Sequence, residues 1–302
     1  MLSNQLLAYF DFDQGPSRSV SDASGKGRNG AVTDASTSKW PASSLAGGRY
    51  AKIFSSRRED VVRVSSNKAA MPTGNAARTV SYWFKDASGD SAAFGMGCRR
   101  TGQGWNMYMK NSGKTLHLDF YGSVCEWGRT VNNDCNDWAN VSPRSGWNHV
   151  VVTYDGTYLV GYFNGEQKAR SDPPSNPNTC STSDSYYSFN VGAGAWSTDG
   201  SSQPFRGQLD EVAVWGRALS KAEVATLWRD GQGLSLIAGT RGDATLGWHY
   251  QRETLIAIYM HANAIMMLPP SLTAFPPSNL STQVALPRAV CVLLGNSPLR
   301  VL

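Results

Sequence analysis

Asp210 and Glu211, in Leu209-Asp210-Glu211-Val212, are the chain's nearest approach to a paired-carboxylate site. Cleavage of a glycosidic bond needs two carboxyl groups held at a working distance across a cleft. Neighbours on a strand point to opposite faces, so strict alternation keeps these two from acting together. It also sets Asp210 on one face with Val212 and Val214, where a carboxylate is costly unless it is paired or binds a metal. A second oxygen-rich stretch, 21–30, reads Ser-Asp-Ala-Ser-Gly-Lys-Gly-Arg-Asn-Gly. Asp22, Asn29 and the carbonyls of such a flexible loop have the hard-oxygen character that suits Ca²⁺. The alternative is that Asp22 makes a turn and Asp210 pairs with a Lys or Arg. The chain has four histidines, of which His117 and His149 fall within strand-like segments and read as packed, hydrogen-bonded residues. No Ser-His-Asp motif and no phosphate-binding Gly-rich loop occurs.

Aromatic residues offer a different chemistry. Trp105, Trp127, Trp138 and Trp196 lie in or beside long polar loops, near Arg99 and Arg100. Flat rings stack on the apolar faces of sugars while polar neighbours orient them. The competing role is to plug the end of the fold. Trp83, Trp147 and Trp215 sit in strand-like sequence and read as core. The basic pairs Arg57-Arg58 and Arg99-Arg100 interrupt a chain of net charge only +5, without the basic stripes of a nucleic-acid binder.

The five cysteines form no C-x-x-C pair, which argues against structural zinc. Four of them allow three connectivities. A short loop favours Cys125–Cys135, leaving Cys98–Cys180, with Cys291 free. Such pairing fits an oxidising compartment, extracellular or at the cell surface. Residues 1–12, MLSNQLLAYFDF, show no signal-peptide pattern, which leaves two alternatives: a sequence incomplete at its N-terminus, or a cytoplasmic protein with free thiols.

These side chains need a scaffold, and 302 residues with 17% charged residues, 30 glycines and ten tryptophans point to short strands and loops. Apolar or alternating segments recur at 6–12, 50–54, 61–64, 79–84, 92–97, 105–109, 116–121, 149–154, 158–163, 188–191 and 209–215. Asp155-Gly156 and Asn164-Gly165 predict two-residue hairpins. Strict up-and-down counting puts loops 98–104 and 122–145 at one end, with 195–204 at the same end. Ser220-Lys221-Ala222-Glu223 predicts a capped helix ahead of Val224, Leu227 and Trp228, stopped by Asp230-Gly231. The expected architecture is all-β, a two-sheet antiparallel sandwich over 1–234 with one short C-terminal helix. An irregular tail follows over 235–302, and its apolar stretch 255–268 is too short to span a membrane. Arg241-Gly242-Asp243 and the sequons at Asn140 and Asn279 carry little weight by themselves.

Several segments resemble the laminin-G-like and pentraxin-like jelly rolls of the concanavalin A-like superfamily. The opening Leu7-Ala8-Tyr9-Phe10-Asp11-Phe12-Asp13 and loop 22–30 look like that family's first strand and Gly-rich loop. Trp147-Asn148-His149-Val150-Val151-Val152-Thr153-Tyr154-Asp155-Gly156, then Phe163-Asn164-Gly165-Glu166, look like its most recognisable hairpin. Phe205-Arg206-Gly207-Gln208-Leu209-Asp210-Glu211-Val212 and Ala218-Leu219-Ser220 look like its last strand and closing helix. The resemblance implies a jelly roll with first and last strands side by side. It also implies a structural calcium near Asp22, Asn29 and Asp210, clamping the termini rather than doing chemistry. Its members include lectins, adhesion modules, hydrolases and lyases, so fold alone does not assign function. The residues favour a non-catalytic module binding a glycan or glycoprotein surface. A hydrolase or lyase, or an adhesion scaffold for proteins, are the rivals.

Overall fold

Alternation along most strands builds two sheets around one interior. The computed structural model describes residues 2–43, 45–64, 70–120, 139–171, 177–195 and 203–237, all within the first of the chain's two units, Met1–Asp243. In chain order the strands are β1 (Leu6–Phe10), β2 (Ser19–Val20), β3 (Gly30–Ala31), β4 (Lys52–Ser55), β5 (Val62–Val64), β6 (Arg78–Lys85), β7 (Ser91–Gly97) and β8 (Gly104–Lys110). They continue as β9 (Thr115–Asp119), β10 (Ala139–Asn140), β11 (Asn148–Tyr154), β12 (Leu159–Phe163), β13 (Glu166–Arg170), β14 (Ser188–Val191) and β15 (Arg206–Trp215). The first sheet runs β1-β15-β6-β11-β12-β13, with β4 also paired to the start of β15. The second runs β10-β9-β8-β7-β14-β5-β3-β2. All pairings are antiparallel, and the arrangement is consistent with a jelly roll. First and last strands do lie side by side: Phe10 faces Val212 and Ala8 faces Val214.

The central strands contribute every second residue to the interior. β6 gives Val80, Tyr82 and Phe84; β8 gives Trp105, Met107 and Met109; β9 gives Leu116 and Leu118. The end of the sandwich near β6 is closed by Arg78, which is fully buried. Its guanidinium donates to the carbonyls of Pro72, Thr73, Gly74 and Ala76 and to the Thr179 hydroxyl, and stacks 5.1 Å from the Trp105 ring. Carbonyls and a hydroxyl thus supply the hydrogen bonds that a buried cation requires.

Asn164 and Gly165, at φ 52° and 80°, form the two-residue turn between β12 and β13, as their residue types predict. The β11–β12 connection is longer than expected, because β12 resumes only at Leu159. Asp155 closes this wider turn by accepting the N–H groups of Thr157 and Tyr158.

The helix α1 (Lys221–Trp228) carries the predicted reciprocal cap between Ser220 and Glu223. Arg217 grips the same Glu223 carboxylate at 2.6 and 2.9 Å. Arg229, Asp230 and Gly231 then take three successive left-handed conformations and end the helix. Val224 and Leu227 pack on Leu6, Tyr9, Val151, Tyr162 and Trp215, sealing much of the outer face of the first sheet. Trp228 stacks on Trp83 at 5.2 Å, and Trp83 on His149 at 4.6 Å. No helix among the described residues is long and apolar enough to cross a membrane.

Candidate functional site

The carboxylates of β15 break the rule used to place them. Leu209 and Val212 both face the interior, and the register against β6 slips between Asp210 and Ala213. Glu211, at φ 52°, is the extra residue of a β-bulge. Asp210 is therefore not on the face of Val212 and Val214. Both carboxylates leave the interior for the outer side of the first sheet, where Asp210 accepts the Ser43 hydroxyl at 2.9 Å and Glu211 accepts the Tyr9 hydroxyl. Alternation alone does not separate them, although each is buried and held in its own hydrogen bonds.

Asp22 is occupied locally. Its Oδ1 accepts from the backbone N–H of Tyr9 and Ser24 and from the Ser24 hydroxyl, and its Oδ2 from the Arg28 N–H. Asn29 accepts the N–H of Asp22 at 2.9 Å. This carboxylate fastens loop 22–30 to the open edge of β1, and the Ala23 N–H donates to the Tyr9 carbonyl beside it. Asp22 and Asn29 share one network while Asp210 belongs to another. Among the described residues no group of three or more His, Cys, Asp or Glu is arranged to hold a metal ion.

Cys98 and Cys180 are joined across 82 residues, with Cα atoms 5.9 Å apart. Cys125, Cys135, Cys291, Trp127, Trp138 and Trp196 lie outside the described residues. Trp105 is not a surface platform: alternation along β8 turns it into the core beside Phe120, Tyr154 and Arg78. Arg99 and Arg100 are exposed in the turn after Cys98. Arg100 pairs with Asp184 at 2.6 Å and covers the ring of Tyr186, which at 61% exposure is the large hydrophobic side chain that stands in solvent among the described residues. The flanks of segment 195–204 are not at this end. Gly192 bonds to Ala93, and Gln203 and Pro204 return beside Ala92, at the opposite end of β7.

The two outer faces of the sandwich differ in kind. Helix α1 covers the first sheet with apolar residues, whereas the second sheet turns hydrogen-bonding groups outward. β8 presents Asn106 and Tyr108, β9 presents His117 and Asp119, and β14 presents Asn190. The register sets Tyr108 against His117 and Asn106 against Asp119. The rings of Tyr108 and His117 meet edge to face at 5.6 Å. Burial, and then the Asp119 charge, hold the Tyr108 phenol above its ordinary range. Between β8 and β14, Gly95 gives the row a low floor. A methyl there would meet the Ala195 nitrogen at 2.3 Å. Segment 192–195 settles into that space, with the Ala195 N–H donating to Asn106 at 2.6 Å and Asn190 donating to the Gly194 carbonyl at 2.9 Å. Sequence reading missed this row, although its signal was present. Polar or aromatic residues alternate with apolar ones through 105–110 and 115–120. The side chains of the row are themselves buried, Asp119 the most open of them at 8% exposure, and Asn106 and Asn190 already bond to segment 192–195.

Two packed antiparallel sheets with one short helix define an all-β sandwich domain consistent with a jelly roll. The chain belongs to the concanavalin A-like lectin/glucanases superfamily, whose laminin-G-type family model matches residues 57–225. No curated protein sequence matches the chain. Among solved structures, it is similar to domain 4 of AbnA, a GH43 extracellular arabinanase from Geobacillus stearothermophilus, in complex with arabinotriose. That match has 17% identity, covers 74% of this chain and 97% of the other, and has a TM-score of 0.49. Trypanosoma rangeli sialidase with 2,3-difluorosialic acid matches at 15% identity, covering 76% of this chain and 34% of the other, with a TM-score of 0.47. The binding domain of Paraclostridial Mosquitocidal Protein 1 matches at 14% identity, covering 76% and 52%, with a TM-score of 0.44.

Proposed function

We propose that the chain is a non-catalytic carbohydrate-binding module working outside the cell, and that the outward face of the second sheet receives the glycan. The observation that carries this reading is the row Asn106, Tyr108, His117, Asp119 and Asn190, buried on the outer side of the second sheet with no helix among the described residues packed over it. Membership of a superfamily of lectins and glucanases supports the ligand class. The Cys98–Cys180 disulfide supports the compartment. Phenol, imidazole, carboxylate and amides together match the mixed donors and acceptors of sugar hydroxyls.

The test is a glycan array followed by titration of the best ligand against Tyr108→Phe and His117→Ala. Each variant should bind at least about tenfold more weakly, roughly 1.4 kcal/mol. Unchanged affinity in both would move the ligand elsewhere. The rival reading, an enzyme, rests on the same Tyr108–His117 contact, since both side chains can transfer protons. Release of a new reducing end or an unsaturated product from the bound glycan would favour it.

A further inference from the structure

We infer a second ligand site, for a carboxylated sugar residue, in the cleft beside Trp228. This cleft holds about 400 Å³ and is walled by Asn140, Ser142, Arg144, Phe163, Glu166 and Trp228, among others. Its volume falls within the roughly 300–1,000 Å³ of small-molecule sites. It opens between the β12–β13 hairpin, the 141–147 turn and the last turn of α1, and shares no residue with the polar row of the second sheet.

Arg144 decides the ligand chemistry. Its guanidinium carbon lies over the Trp228 ring, 4.3 Å from the centroid. Its Nη2 crosses so close to Gly231 that a methyl there would meet it at 2.2 Å. The backbone beneath is fixed, because Asn148 accepts the Arg144 N–H at 2.9 Å and donates to its carbonyl at 3.0 Å. Among the described residues the guanidinium has no ion-pair or hydrogen-bond partner. A stacked guanidinium keeps its edge donors free, and that planar fork matches a carboxylate. Holding it in place beforehand lowers the entropy lost on binding.

The other walls suit the rest of a sugar. Among the described residues the Asn140 side chain bonds only through its Oδ1, toward Thr115, which leaves its amide N–H groups for a hydroxyl. Ser142 is exposed, and its hydroxyl has no partner among the described residues. Glu166 is the one carboxylate of the wall, and Lys168 neutralises it at 2.6 Å. Trp228 is itself held by the hairpin turn. A Cβ on Gly165 would lie 2.5 Å from its ring, so glycine at that position lets the indole sit where it does.

The site shares a ligand class with the proposed function but not its residues, and the experiment separates them. The probes are methyl β-D-glucuronide and its uncharged counterpart methyl β-D-glucoside, titrated into ¹⁵N-labelled full-length chain. The glucuronide should shift the Trp228 indole and Asn140 side-chain signals and bind at least about tenfold more tightly than the glucoside. Arg144→Gln should bring the two probes to equal affinity. Arg144→Lys should retain part of the preference, because it keeps the charge and loses the fork. Tyr108→Phe should leave the glucuronide titration unchanged. Equal affinity of the two probes for the parent chain would overturn the site. So would an undiminished preference in Arg144→Gln, or shifts confined to the second sheet and abolished by Tyr108→Phe.

Discussion

Replacing His149 with phenylalanine should convert a pH-dependent stability into a flatter one. His149 lies on the outer side of β11, fully enclosed, its ring parallel to Trp83 and Trp228. Its Nε2 pairs with the Ser81 hydroxyl at 2.8 Å, while its Nδ1 has no partner. A second proton would place a buried charge there with nothing to receive it. Burial accordingly drives its pKa down from 6.5 to about 3. The unfolded chain takes up this proton first as pH falls, so the folded state has its full benefit above about pH 6.5 and loses it progressively toward pH 3. At about 1.4 kcal/mol per pH unit, the loss is about 2 kcal/mol at pH 5 and at most about 5 kcal/mol at the acid limit. His149→Phe keeps a ring in the stack, orphans the Ser81 hydroxyl and cannot titrate. It should be less stable than the parent by about 1–3 kcal/mol at pH 7.5. That deficit should shrink by about 2 kcal/mol by pH 5. Urea unfolding followed by tryptophan fluorescence at pH 7.5, 6.5, 5.5 and 5.0 measures both curves, and other acid-sensitive groups cancel in the difference. Parallel curves would refute the reasoning.

Asp22→Ala should lower stability by about 3 kcal/mol, because several N–H groups lose a charged acceptor. The loss should be the same in calcium and in chelator, as read by paired thermal melts. Trp105→Ala should cost roughly 3–5 kcal/mol as a core cavity, so an unchanged melting temperature would return Trp105 to the surface. Cys98→Ser with Cys180→Ser should cost about 4 kcal/mol, since the bond closes a long loop in the unfolded chain. The test is chemical denaturation of this double variant beside the oxidised parent, and overlapping curves would count against the bond.

Local chemistry was the readable part of the sequence. Asn164-Gly165 and Ser220-x-x-Glu223 act through backbone groups one to three residues away, so nothing distant can override them. Edges were harder. β2, β3 and β10 have two residues each, too few for any period to show. The bulge in β15 was hidden because the residue at positive φ is Glu211, not a glycine. Its conformation is imposed by pairing with β1 and β6 and by the bond from Tyr9. Counting across it therefore put Asp210 on the wrong face, while Val212 and Val214 kept the interior side expected of them. Trp105 had the opposite fault. Its alternation with Met107 and Met109 was legible, but its place next to a long loop drew it to the surface. The cleft at Trp228 had no sequence signal, since it joins turns from three separate stretches.

Arg78 bears on what happens when the chain meets a reductant. Thr179, next to Cys180, is tied to the Arg78 guanidinium at 2.6 Å, and it exchanges two backbone bonds with Gly74, at 2.6 and 3.2 Å. None of these ties involves sulfur, and none involves a carboxylate that acid could protonate. Opening the disulfide would relax the unfolded chain far more than the folded one. Thiol chemistry should thus govern how long a molecule survives rather than what shape it holds. A molecule reduced after folding would keep its surfaces in register, while one that never formed the bond would be the easier prey for proteases.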